Sequence, residues 1–96
     1  MSDPPDLLPP ARVRAPIDLV SDYDVNLLVM AVGEALRDPL TGAVVVDLSA
    51  TETIGRVAIG ALTALRGMAR IDDKPMSFVG ARERVAAELR RARLLG

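Results

Sequence analysis

The segment AVVVDL, residues 43–48, limits the fold of this chain more than any other stretch. It is a short, unbroken apolar run rich in β-branched side chains, which is typical of a strand covered by helices. Helical periodicity lies on both sides, at Val25, Leu28, Val29, Val32 and Leu36 before it and at Ala58, Leu62, Leu65 and Ala69 after it. A buried strand between two amphipathic helices predicts an α/β domain with this strand at its centre.

Three further segments complete the pattern. The segment ARVRAPIDLV, residues 11–20, predicts a strand that Pro16 interrupts, so we expect an edge strand or a bulge. PMSFVG, residues 75–80, predicts another strand, and ARERVAAELRRARLLG, residues 81–96, a third helix. Strands and helices that alternate in this way predict βαβ crossovers and a mixed or mostly parallel central sheet. Three strands are few, so we expect another strand, part of the amino-terminal arm or a partner chain to complete the sheet.

The domain boundaries follow from proline. Residues 1–10 contain four of the seven prolines, which predicts a flexible arm without regular structure, followed by one domain over residues 11–96. The first helix is predicted over residues 22–37, because Ser21 and Asp24 resemble a capping box and Asp38 precedes a proline.

Glycines inside a helix usually permit close packing, and this is our expectation for Gly60 and Gly67.

The composition argues against several classes of function. The chain has no cysteine and no histidine, so it lacks a thiol nucleophile, an imidazole base and sulfur ligands for a metal. It also has no apolar run long enough to span a membrane and no recognisable export signal, so we expect a soluble, cytoplasmic protein without a membrane partner. From these absences we expect neither enzymatic activity nor a resident cofactor or metal.

The sequence gives little support to three other types of site. The glycines at positions 55 and 60 have part of the P-loop spacing, but Ala61 and Leu62 replace its lysine and hydroxyl residue. Asp18 and Asp47 are expected near strand ends, where a metal or acid–base role competes with the more common role in caps and turns. The arginines of the last helix lack interleaved aromatic residues, so we expect no nucleic-acid partner.

Charge is unevenly distributed along the chain. Residues 1–55 carry three basic and nine acidic side chains, a net −6, whereas residues 56–96 carry nine basic and four acidic ones, a net +5. This asymmetry either steers a charged partner or reflects a solvated basic helix at the carboxyl end.

From the strand VVVDLS to the final LLG, the chain resembles a STAS domain, the fold of bacterial anti-sigma-factor antagonists. Family members typically have a run like DLS…FIDSSGL, a helix, a short strand ending in Val-Gly, and a last helix. IDLVS, residues 17–21, is similar to the exit of the family's GELD strand, although Pro16 replaces the glutamate. The resemblance covers residues 13–96 and implies a STAS-like α/β fold. Family members begin with a hairpin of two strands, whereas this chain has room for only one good strand before IDLVS.

The family's phosphorylation motif is degraded in this chain. Setting TIGRVAI against FIDSSGL places Gly55 at the motif's aspartate, Arg56 at the serine that partner kinases phosphorylate, and Val57 at the next serine. A permanent cation therefore stands where relatives carry a switchable phosphate. Arg56 opposes the helix dipole by roughly 0.3–1 kcal/mol when exposed, so it either contacts a partner or simply points into solvent. Thr51 and Thr53 are alternative phosphate acceptors, although Thr53 is equally suited to cap the second helix.

The resemblance implies a regulatory protein that binds an anti-sigma factor with a kinase-like ATP-binding fold and so releases a sigma factor. The expected binding residues are Asp18 and, in the segment between the central strand and the second helix, Ser49, Thr51, Thr53, Ile54, Gly55, Arg56, Val57, Ala58 and Ile59. Two alternatives remain open: a degenerate STAS scaffold that assembles with itself or with other STAS proteins through an exposed sheet edge, and a nucleotide-binding STAS domain.

Overall fold

The computed structural model describes residues 8–95 and has the predicted α/β architecture. Five strands alternate with three helices in the order β1 (Pro10–Arg14), β2 (Asp18–Leu19), α1 (Asp22–Arg37), β3 (Ala43–Asp47), β4 (Thr53–Ile54), α2 (Arg56–Ile71), β5 (Met76–Val79) and α3 (Glu83–Arg91). The main sheet has the order β1-β3-β5 and is parallel throughout, and β2 pairs with β4 in a small second parallel sheet. The central position predicted for AVVVDL is therefore confirmed, and the architecture is consistent with a STAS-like fold.

The main sheet has one buried and one open face. Val46 lies between Val13 on β1 and Phe78 on β5, and this row belongs to the face that packs in the hydrophobic core. The adjacent row contains Arg12 and Ser77, which are exposed. This alternation follows from the two-residue period of a strand. The helices α1 and α2 pack against each other. Because β1, β3 and β5 are parallel, their carboxyl ends lie at one edge of the sheet.

The ends of α1 are fixed by polar contacts. Ser21 is the N-cap, and its hydroxyl oxygen accepts a hydrogen bond from the Asp24 backbone N–H at 3.1 Å, as predicted. The other end stops before Pro39, and there the Lys74 ammonium group donates to the carbonyl oxygens of Leu36 at 2.7 Å and Asp38 at 2.6 Å. This cap comes from the β5 side of the molecule and was not expected from the sequence, because Lys74 lies more than thirty residues away along the chain.

Two expectations need correction. The first strand starts at Pro10, inside the segment expected to lack structure, while residues 1–7 lie outside the described residues. Proline is accommodated there because it is the first residue of an edge strand and need not donate to the ladder. The expectation that Gly60 and Gly67 permit close packing is wrong for the described residues, because a Cβ at either position would meet no heavy atom within 4 Å.

Between residues 8 and 95 no helix combines the length and the apolar character needed to cross a membrane.

Candidate functional site

The segment from Ser49 to Ile59, which we call the junction, lies at the carboxyl end of the central strand. It leaves β3 after Asp47, includes β4 and forms the first turn of α2. Ligand sites of open parallel sheets commonly lie at this edge of the sheet. The junction therefore combines the position and the sequence expected of a binding site.

Asp47 anchors the beginning of the junction. Its carboxylate accepts hydrogen bonds from the Ser49 backbone N–H at 2.9 Å and from the Arg12 guanidinium at 3.0 Å, and the residue is only 2% exposed. Hydrogen bonds from Ser49, and then from Arg12, lower the pKa of Asp47 from 3.8 to about 2. The carboxylate is therefore ionised at neutral pH and acts as a structural acceptor.

The middle of the junction is tied to the connection between β1 and β2. Thr51 is fully buried, and its hydroxyl donates to the Pro16 carbonyl at 2.8 Å. The Glu52 backbone N–H donates to the Ile17 carbonyl at 2.7 Å. Because its hydroxyl is enclosed and paired, a kinase could reach Thr51 only if the junction opened. Of the two alternative phosphate acceptors, Thr53 is the accessible one.

Thr53 does not cap α2, contrary to one of the two roles considered from the sequence. The Thr53 hydroxyl donates to the Asp18 carboxylate at 2.6 Å, and the N-cap of α2 is Gly55, which provides no side-chain cap. The Gly55 backbone N–H instead donates to the Leu19 carbonyl at 3.0 Å. The β2–β4 pairing thus occupies the Thr53 hydroxyl, and the N-cap lies two residues later, at Gly55.

The structure gives Asp18 and Asp47 separate partners. Asp18 pairs with Thr53 in the small sheet, whereas Asp47 bonds to Arg12 and Ser49 at the end of the main sheet. In the part of the chain from residue 8 to residue 95, no three acidic residues come together in a group that could hold a metal ion.

The turn after β5 supports the junction from a third side. Gly80 adopts a left-handed backbone conformation with φ of +72°, and a Cβ there would lie 3.0 Å from the Ser49 Cβ. The Arg82 side chain donates to the Ser49 carbonyl at 3.3 Å and lies 3.6 Å from the Glu52 carboxylate. Contacts from the β1–β2 connection and from the turn after β5 therefore brace the junction, and Arg12 on β1 binds Asp47 just before it.

The outer surface of the junction combines exposed apolar side chains with charged ones, among them Glu52 and Arg56. Arg56 and Val57 are exposed at the start of α2, and Ile17 and Val20 are exposed on the neighbouring segment. Gly55 lies beside Val20, and a Cβ on Gly55 would be at ordinary van der Waals distance, 3.5 Å, from a Val20 methyl group. Of the other residues expected to bind a partner, Ser49 and Thr53 are exposed, Ile54, Gly55 and Ile59 are half-buried, and Thr51 and Ala58 are buried.

A groove of about 450 Å³ runs between the start of α2 and the end of α3. Its lining residues are Ile54, Gly55, Arg56, Ile59, Glu88, Arg91 and Ala92. Arg91 lies 3.2 Å from the Glu88 carboxylate, whereas Arg56 has no acidic partner within 4 Å among residues 8–95. Sequence reasoning missed the contribution of α3, because only the tertiary fold brings residues 88–92 beside the junction.

The sheet edge considered for self-assembly is β1. Pro10 begins this strand, and Arg12 and Arg14 are exposed along it. Proline and charged side chains are common devices that discourage pairing of an edge strand with another chain. The described edge therefore gives little support to assembly by strand addition.

A scan against models of known protein families finds no match to this chain, and a search of curated proteins finds no similar sequence.

Proposed function

We propose that this protein is a STAS-like regulator of the anti-sigma-factor-antagonist type, which binds a protein partner through the junction. The proposed partner is an anti-sigma factor with a kinase-like ATP-binding fold, in the cytoplasm of a bacterium. Binding would occupy the anti-sigma factor and so release its sigma factor for transcription. The resemblance of residues 13–96 to STAS domains supplies the identity of the partner, and the mostly parallel α/β fold is consistent with it.

The observation that carries a binding role is the exposed apolar surface on a braced loop. Ile17, Val20 and Val57 are each more than half exposed, at 57%, 52% and 56%. Their burial in a complex would stabilise it, and the hydrogen-bonded junction would lose little conformational freedom on binding. An already ordered surface of this kind suits recognition of a protein partner.

Charge gives the surface its specificity. Arg56 lines the groove and has no acidic partner within 4 Å among residues 8–95, whereas Arg91 is paired with Glu88. An acidic side chain of the partner would therefore bind the guanidinium group of Arg56. In phosphorylated relatives this position gains negative charge, which weakens docking. Here the charge at Arg56 is fixed and positive, so we propose an antagonist that the usual serine phosphorylation does not switch off.

The binding test compares two charge reversals. Arg56→Glu places negative charge on the proposed surface, whereas Arg90→Glu makes the same change at an exposed residue of α3 that does not line the groove. Calorimetric titration of purified anti-sigma factors with kinase-like domains should show at least tenfold weaker binding for Arg56→Glu and an affinity close to wild type for Arg90→Glu. Equal effects of the two changes, or no binding by the unaltered protein, would refute the proposal.

The regulatory part has its own assay. Incubating each anti-sigma factor with ATP and this protein should leave the protein free of phosphate, whereas the variant Arg56→Ser should become a substrate. Stoichiometric phosphorylation of the unaltered chain at Thr53 would show that a switch persists at a displaced residue.

A further inference from the structure

The outer face of the α1–α2 layer is unusually apolar. Six of the nine exposed large hydrophobic residues of the described chain lie on these two helices: Tyr23, Leu27, Met30, Val57, Met68 and Ile71. Ile71 is 86% exposed and Tyr23 is 72% exposed. We call the surface that these six residues form the helix face. Clusters of exposed apolar side chains commonly mark an interaction site.

Two glycines make this surface accessible to another helix. Gly60 and Gly67 lie seven residues apart on the exposed side of α2, and nothing lies within 4 Å of the position that a Cβ would occupy. Each glycine destabilises the helix by roughly 1 kcal/mol relative to alanine. The absence of a side chain at both positions permits close approach by a neighbouring helix.

The charges on the two helices have opposite signs. In α1, Asp22, Asp24 and Glu34 against Arg37 give three acidic and one basic side chain, a net −2. In α2, which has no acidic residue, Arg56 and Arg70 are exposed and give a net +2. Arg66 is half-buried and donates to the Leu94 carbonyl at 2.6 Å. Among residues 8–95, none of the ion pairs joins α1 to α2. A partner for this face should therefore present one acidic and one basic helix side by side.

We propose that a second copy of this chain is that partner, in a homodimer in which α1 of each copy packs on α2 of the other. A two-fold axis that lies between the two copies and runs parallel to their helices produces this arrangement. The alternative axis, perpendicular to the helices, would place α1 on α1 and α2 on α2. Like charges would then face each other twice, which disfavours that alternative.

The lengths of the helices match in the proposed arrangement. Each has sixteen residues, and both follow a strand of the same parallel sheet, so they run in the same direction. Packed in parallel, the acidic start of α1 meets Arg56 of the second copy. Glu34, the thirteenth residue of α1, lies near Arg70, the fifteenth residue of the other copy's α2. Both contacts occur twice because of the symmetry.

The size of the helix face sets the expected strength. Sixteen helical residues span about 24 Å, and two adjacent helices are about 20 Å wide, so the dimer would bury on the order of 1,000 Å² in total. This value lies at the lower limit for a specific interface. The dimer should accordingly be reversible and depend on protein concentration.

Charge exchange at Glu34 and Arg70 tests this arrangement without altering the junction. Glu34→Arg and Arg70→Glu should each place like charges opposite each other and weaken association at least fivefold. The double variant restores opposite charges and should recover most of the wild-type affinity. Arg90→Glu on α3 is the control for a charge change outside the interface. Sedimentation equilibrium between about 1 μM and 1 mM, a range suited to an interface of this size, would measure all five proteins.

Recovery in the double variant, with an unaffected control, supports the dimer. A wild-type protein that is monomeric over the whole range overturns it. Association that the single changes leave intact, or that the double variant fails to recover, overturns the packing of α1 on α2. None of these results depends on binding to an anti-sigma factor, so the dimer and the proposed function can fail separately.

Discussion

Replacement of Gly80 by alanine should destabilise the protein far more than its exposure suggests. An L-residue at φ of +72° costs about 1–2 kcal/mol. The new Cβ would also lie 3.0 Å from the Ser49 Cβ and 3.3 Å from its backbone nitrogen and Cα. Ser49 cannot retreat without straining its hydrogen bonds to Asp47 and Arg82, so we add about 1 kcal/mol for this contact. The expected total is about 2–3 kcal/mol.

Gly60→Ala is the matched substitution. Gly60 is an exposed helical residue with open space around its Cα, so alanine should stabilise the protein by up to about 1 kcal/mol. Urea denaturation of dilute protein would measure both free energies of unfolding. Gly80→Asn separates the two causes, because asparagine tolerates the left-handed conformation but still introduces a Cβ. A Gly80→Ala protein as stable as wild type would refute the conclusion that the close turn supports the junction.

Two other changes test contacts around the site. The pKa of Asp47 falls from 3.8 to about 2 on folding, so its contribution to stability is complete above pH 4 and is lost as the pH falls through about 2. Asp47→Asn should therefore reduce the loss of unfolding free energy between pH 4 and pH 2, measured by denaturation at a series of pH values. An unchanged pH dependence would contradict this prediction. Lys74→Met should lower the free energy of unfolding by about 1–3 kcal/mol, because it removes charged hydrogen bonds to the carbonyls of Leu36 and Asp38. Lys74→Arg is the control that keeps the charge. A methionine variant of wild-type stability in thermal melts would show that this cap is dispensable.

The elements that a long periodic pattern predicts agree well with the structure. The boundaries of α1 match the prediction, because Ser21 and Pro39 are local signals that tertiary contacts do not change. AVVVDL is central because a continuous β-branched run has few other stable environments in an α/β protein. The second helix, which the spacing of Ala58, Leu62, Leu65 and Ala69 predicts, was also found, over Arg56–Ile71.

The details of the site depend on contacts that no local pattern reveals. The two-residue strands β2 and β4 are too short to show a period, yet their pairing determines that Thr53 bonds to Asp18 and leaves Gly55 as the N-cap. The salt bridge of Arg12 with Asp47 requires the register of β1 on β3. The sequence indicated which segment forms the junction, whereas the tertiary fold determines which of its side chains are accessible.

The support of the junction has a consequence for its biosynthesis. Its contacts come from residues near position 16 and from residues 80–82, more than sixty positions later. A ribosome-bound chain that has not yet exposed residue 82 cannot complete this set of contacts. A partner that recognises the assembled surface would consequently not bind a chain that ends before residue 82.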